Sequence, residues 1–383
     1  MRAITLAVVL VTMGLTGVWA QGAALGWQAL PNTPLLSVCA SPSQYPQIQG
    51  AEGCSAVIND WNSGVLDSAR NRLLLWGGGH NGYYGNELYA LDVGTNQMLR
   101  LNAPGLPPGS FSPCMETIAN GTQPNSRHTY DGMTFIDHAD KLFIVSGGLA
   151  CGTSDLSDDT WTFDFATMRW QNMQPAGDPL VPPGWSARQL EGAAATYDPV
   201  SRLVLVDNLF GLLSYDLTSN RYKWLSVDTG GYYGRAQLVT MIMDPDRRFA
   251  YVIGDGQVWR WNLQDLNNVP APALISTSGG SAVVSASAPG LAWDSNARQI
   301  VGWAGGNTAY RFNGAANTWS PVTFSGGPGQ ANPQGTYKRF AYSAQSGVFV
   351  SVNHTNQNAY TLRLTTIGAD LTPPAKPTGF TLR

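Results

Sequence analysis

Charge is scarce in this chain of 383 residues: Asp, Glu, Lys and Arg make up 12% of it, and the net charge is −3. A chain so poor in basic residues has no electrostatic footprint for nucleic acid or for an anionic membrane surface. Any acidic ligand has to be met by a local cluster. Long apolar runs are also missing beyond residue 20. Residues 4–18 are apolar, but the run is too short and wrongly flanked for a membrane span. With Arg2 ahead of it and Val18-Trp19-Ala20 behind, residues 1–20 read as a cleaved export signal. There is no phosphate loop, no dinucleotide fingerprint and no HExxH pair. The four cysteines show no CxxC spacing, which argues against a zinc site. In an exported chain an even count implies two disulfides. Three pairings are open, and proximity along the chain favours Cys39–Cys54 and Cys114–Cys151.

Against these absences stand 43 glycines, 13 tryptophans and 15 tyrosines, a composition of turn-rich β structure. One pattern recurs six times: a turn led by Asp, an apolar strand, a Gly/Asn-rich loop, then an aromatic strand. The turn and apolar strand start at Asp67, Asp137, Asp198, Asp244, Asp294 and Ser343. The aromatic strands read ELYALDV, DTWTFDF, LLSYDL, QVWRWNL, TAYRFN and NAYTLRL. A strand precedes each turn, and a fourth, often carrying Trp (Trp170, Trp224, Trp319), ends each repeat. Units that cannot bury their faces alone must stack or close into a ring. Four strands per unit predict an all-β fold, a β-propeller of six four-stranded blades over residues 21–365. The long connections at residues 102–127 and 266–290 leave room for a seventh, degenerate blade. The last repeat lacks its fourth strand, and GWQALPNTPL from Gly26 reads like one. The N-terminal strand is therefore expected to close the ring and hide two open sheet edges.

The double glycines Gly77-Gly78, Gly147-Gly148 and Gly305-Gly306 end the apolar strands, with Tyr89, Trp161 and Tyr310 following and Trp170 and Trp319 closing two blades. This pattern resembles kelch repeats, as in galactose oxidase-type propellers. Asp207-Asn208, Gly254-Asp255 and Asn353-His354 depart from it. Within that group, WGGGHNGYYGNELYALD and SRHTYDG are similar to segments of ulvan-lyase-type polysaccharide lyases. The tail, residues 366–383, looks like a linker and the first strand of a fibronectin type III module, which leaves two readings open: a simple end, or further modules of a longer parent chain. A copper oxidase of the galactose oxidase kind needs a cysteine cross-linked to a tyrosine. Here the cysteines pair off instead.

Propeller topology sorts the polar residues. Loops between the second and third strands, and the connections between blades, share one face, called here the mouth face. On it fall Asn59, Asp60 and Trp61, then His80, Asn81, Tyr83, Tyr84 and Asn86. Arg127 and His128 enter blade two, Arg188 and Glu191 blade three, Tyr232, Tyr233 and Arg235 blade four, Lys338 and Arg339 blade six, and His354 follows in its loop. His138 falls on the opposite face. Arginines around a mouth suit a carboxylate or sulfate, and aromatics suit sugar rings. Two functions follow. One is a propeller binding a polysaccharide, a cell-surface glycan or a surface partner through Trp61, Asn81, Tyr83, Asn86, Arg127, Arg188, Arg235, Arg339 and His354. The other is a lyase acting on a uronate glycan by β-elimination, with His80 or His128 as base, Tyr84 or Tyr233 as acid, and arginine neutralising the carboxylate. Each assignment has a plainer counterpart. An entry arginine can bond loop carbonyls and glue blades, and Tyr83 and Tyr84 can simply pack. No metal or other cofactor is expected. The acidic loop Asp155, Asp158 and Asp159 could hold calcium only with more oxygen ligands than the sequence shows, and a solvated loop is the plainer reading.

Overall fold

A computed structural model describes residues 24–105, 114–151, 155–183, 192–208, 210–227 and 238–365. The export signal, the tail, Arg188, Glu191, Tyr232, Tyr233 and Arg235 lie outside the described residues.

Six antiparallel sheets, each built around four strands, form a β-propeller. Blade one has the strands Gly64–Asp67, Arg72–Leu75, Tyr89–Asp92 and Gln97–Arg100. The innermost strands of blades two to six are Met133–Ile136, Ala194–Asp198, Thr240–Asp244, Gly290–Asp294 and Phe340–Ser343. Each touches its neighbour, and the sixth touches the first, so the ring is closed. The outermost strand of blade six is Gly26–Ala29, which pairs antiparallel with Tyr360–Arg363 as expected. The connections that left room for a seventh blade hold smaller things. One contains a two-stranded hairpin, Thr117–Ile118 with Gln123–Pro124. The other contains the short outer strand of blade four, Ala273–Leu274, and the helical turn Ser281–Ser285.

The turn-leading residues act through their side-chain oxygens. Asp294 Oδ1 accepts the amides of Asn296 and Ala297 at 3.0 and 2.9 Å, and Asp244 Oδ1 those of Asp246 and Arg247 at 3.1 and 3.0 Å. In blade six the hydroxyl of Ser343 takes that place, accepting Ser346 N–H at 3.1 Å.

The core lies between blades rather than within one. Leu73 and Leu75 pack with Val348 and Val350 of blade six, while Leu74 and Trp76 pack with Leu142, Ile144 and Trp161 of blade two. Period two thus sends alternate side chains into two interfaces. A buried Leu contributes roughly 1.5–3 kcal/mol, so the blades hold one another. Both disulfides join the expected pairs, Cys39–Cys54 and Cys114–Cys151.

Candidate functional site on the mouth face

The loop after the second strand of blade one lies against the entry to blade two. Gly78 N–H donates to Arg127 C=O at 3.0 Å, which sets the His80 and His128 rings edge to face, 4.2 Å between centroids. Glycine makes that approach possible. Gly79 has φ +109°, and a Cβ there would fall 1.8 Å from His128 Cδ2. His128 is buried and His80 half-buried. Trp61, half-buried, sits 5.3 Å from the His128 ring, and Tyr130 5.9 Å from it.

Carboxyl groups back this pair. His128 Nε2 lies 3.7 Å from Asp60 Oδ2, and Asp60 in turn hydrogen-bonds Glu52. Burial pushes Asp60 up to about 6, against the opposing pull of its Glu52 hydrogen bond and of His80. Glu52 is also raised, first by burial and then by the charge of Asp60. Glu52 was not expected from sequence. It arrives because the segment after blade six's closing strand folds back over blade one: Ala51 and Glu52 N–H donate to Asn81 and Gly82 C=O at 2.7 and 3.0 Å. The Cys39–Cys54 bridge braces that segment, and the position of Cys54 two residues from Glu52 was the available signal.

The other expected contacts divide. Asn81 is exposed, and Tyr84, 8% exposed, donates its hydroxyl to Asn81 Oδ1. His354 is half-buried beside the Gln330 carbonyl at 3.3 Å. Tyr83 is buried, with its hydroxyl on Glu87. Buried Asn86 staples a loop, donating to Gln123 Oε1 at 3.0 Å and Pro124 C=O at 3.1 Å and accepting Gly105 N–H at 2.6 Å.

The two described entry arginines turn inward, unlike the expected ring of guanidinium groups. Arg127 is fully buried, paired with Asp159 and bonded to Ser157 Oγ at 2.7 Å. Arg339, also fully buried, donates to the carbonyls of Asn62, Gly335 (2.6 Å) and Val352 (3.3 Å). Arg339 thereby joins blade six to the entry of blade one, whereas Arg127 holds blade two together from within. Arg127 also occupies Asp159, one of the three aspartates considered for calcium. Asp155 comes within 4.8 Å of Cys114 and Cys151 sulfurs, but these are joined in a disulfide.

The centre of this face is closed among the described residues. Tyr130, Ala288 and Tyr337, from the entries to blades two, five and six, pack together and are buried. Blades two and five are opposite in a six-membered ring, so this contact crosses the axis. Beneath it Lys338 Nζ pairs with Asp131 Oδ2 at 2.8 Å and donates to the carbonyls of Ala195 (2.6 Å), Asp131 (3.1 Å) and Met133 (3.2 Å). The candidate site is therefore an off-axis corner between blades one and two.

No family model matches the sequence, and no curated protein sequence matches it. Among solved structures the chain is similar to one titled "Structure of YjhT", at 12% identity over 81% of this chain and 95% of that one, with a TM-score of 0.48.

Proposed function

We propose that this chain is an extracytoplasmic kelch-type propeller that binds a polysaccharide at the corner formed by Trp61, His80, Asn81 and Tyr84. The observation that carries the reading is the edge-to-face His80–His128 pair at 4.2 Å, flanked by the half-buried indole of Trp61. An aromatic face beside imidazole and amide hydrogen-bonding groups matches the two sides of a sugar ring, apolar C–H and polar hydroxyl. The paired glycines support kelch-type repeats. Two disulfides support an oxidising compartment, and no helix among the described residues is long and apolar enough to cross a membrane. With Arg127 and Arg339 committed inside, selectivity for an acidic glycan would rest on Arg188, Arg235 and the imidazoles.

A second reading is favoured by the chain Glu52, Asp60, His128, His80. A buried carboxyl, Asp60, bonded to the exposed Glu52 and beside two imidazoles, both carboxyls with raised proton affinity, is a means of holding and passing a proton. In a β-elimination, half-exposed His80 would take the proton α to a uronate carboxylate, and Tyr84 would protonate the leaving oxygen. The two readings separate in one experiment. The protein and its His80→Ala and Trp61→Ala variants are incubated with neutral and uronic-acid polysaccharides. Retention is read by pull-down and unsaturated uronate by ultraviolet absorbance. Retention without new absorbance, weakened in both variants, supports binding. Absorbance that rises with wild type and is lost in His80→Ala supports the lyase. Neither signal on any glycan rejects both.

A further inference from the structure

On the face opposite the mouth, the propeller axis opens into a cavity of 220 Å³ to which all six innermost strands contribute. Its walls include Phe135, Ile242, Leu291, Ala292, Phe340 and Ala341. Asp137, Pro199 and Pro245, each at the turn following an innermost strand, stand at its open end, and Lys338 lines it at the other. The Tyr130–Ala288–Tyr337 plug and the Lys338–Asp131 pair lie toward the mouth face. Among the described residues the cavity is therefore a blind pocket that does not communicate with the candidate glycan site.

Three observations define what it would accept. The side-chain walls are mostly apolar, and apolar surface left open to water is unfavourable. Each innermost strand is the free edge of its sheet, so peptide N–H and C=O groups face the axis between those side chains. Lys338 has no donor to spare: its three N–H bonds are shared among one carboxylate oxygen and three carbonyls. The ammonium is thus already neutralised, which removes the reason for an anion to enter. For size, a dry apolar cavity of about 150 Å³ takes benzene, and this one is larger.

We infer that the axial pocket is a second binding site, for a small neutral aromatic molecule of one or two fused rings carrying a hydrogen-bond donor. The rings would lie against Phe135, Ile242 and Ala341, with the donor on a peptide carbonyl of an innermost strand.

The test is calorimetric titration of the full chain with a naphthol, and with the corresponding naphthoate as its anionic counterpart. Ala341→Phe and Ala292→Leu, which fill the pocket from two different blades, are titrated alongside. Far-ultraviolet circular dichroism and melting temperature report folding, and either folded variant suffices. The expected result is saturable one-to-one binding of naphthol, at least tenfold weaker binding of naphthoate, and a tenfold or greater loss in a filled variant. If neither variant folds, displacement of naphthol by benzyl alcohol and not by benzoate stands in their place. Absence of saturable naphthol binding, equal or tighter naphthoate binding, or binding unchanged in a folded filled variant would overturn the assignment.

Discussion

Replacing Lys338 by Met is the most informative single change to the scaffold. Methionine keeps the length of the stem and removes the charge. Lys338 and Asp131 stand 207 residues apart in sequence, and their pair joins blade six to blade two, with Ala195 bringing in blade three and the Met241 amide bringing in blade four. Without the ammonium, Asp131, fully buried, keeps only the Met241 N–H at 2.7 Å and a hydrogen bond from Ser63. Three carbonyls lose a donor as well. Breaking one side of a buried pair costs about 3–5 kcal/mol, because the remaining charge is uncompensated. Burial already raises Asp131 to about 6 with the lysine present, so loss of the lysine moves it further up. A carboxyl raised in the folded state contributes stability below its unfolded pKa and loses it as pH rises through the folded value. The deficit of Lys338→Met is therefore larger at pH 8 than at pH 5. Urea unfolding at both pH values reads this directly. Adding Asp131→Asn, which keeps an acceptor for Met241 N–H, is expected to cost far less than the sum of the single changes. A deficit below about 1 kcal/mol, independence of pH, or additivity in the double variant would show that the Lys338–Asp131 pair does not hold the blades together.

Three further outcomes are expected. Cys39→Ser with Cys54→Ser opens a loop with a sequence separation of 15, for a loss of about 3 kcal/mol on chain entropy, and it also loosens Glu52 and Asp60. Unfolding with and without reductant measures the loss. Asp60→Asn flattens the pH profile of stability: wild type, with Asp60 raised to about 6 from 3.8, loses stability from this group as pH rises from 4 toward 7, and the variant does not. Melting temperature across that range is the readout, and parallel profiles would count against it. Trp27→Ala weakens ring closure, because this indole packs 5.9 Å from Trp303 and 6.5 Å from Phe340 across blades five and six. A half-buried Trp is expected to cost about 2 kcal/mol, below the range for a fully buried one.

The repeat, the blade count and the closing strand were legible because strand period and turn chemistry are local, written within ten residues of each Asp or Ser. The disulfide pairing was legible for the same reason. Topology alone also placed His80 and His128 on one face, and they meet. What sequence did not carry was the direction of a side chain at a blade entry. Arg127 turns inward because the sheet of blade two sets Asp159 beside it, and Arg339 because ring closure brings it the Asn62 carbonyl, 277 residues away in sequence. Glu52 reached the site by the same route, through a segment with no repeat pattern. The central plug follows from residues in three separate entries, among them Tyr130, Ala288 and Tyr337 at φ 46°, 43° and 49°, which no local pattern announces.

Recognition of a glycan at the His80 corner depends on where one imidazole ring sits. Gly148→Ala tests it with little disturbance elsewhere. Gly148 does not have positive φ, and a Cβ there would meet His80 Nε2 at 3.0 Å, displacing the ring while leaving the fold intact. The measurement is the dissociation constant of wild type and Gly148→Ala for whichever polysaccharide the pull-down retains, with melting temperature alongside. Binding is expected to weaken at least tenfold, with a melting temperature within a few degrees of wild type. Unchanged affinity in the folded variant would contradict this expectation and place the glycan elsewhere on the ring.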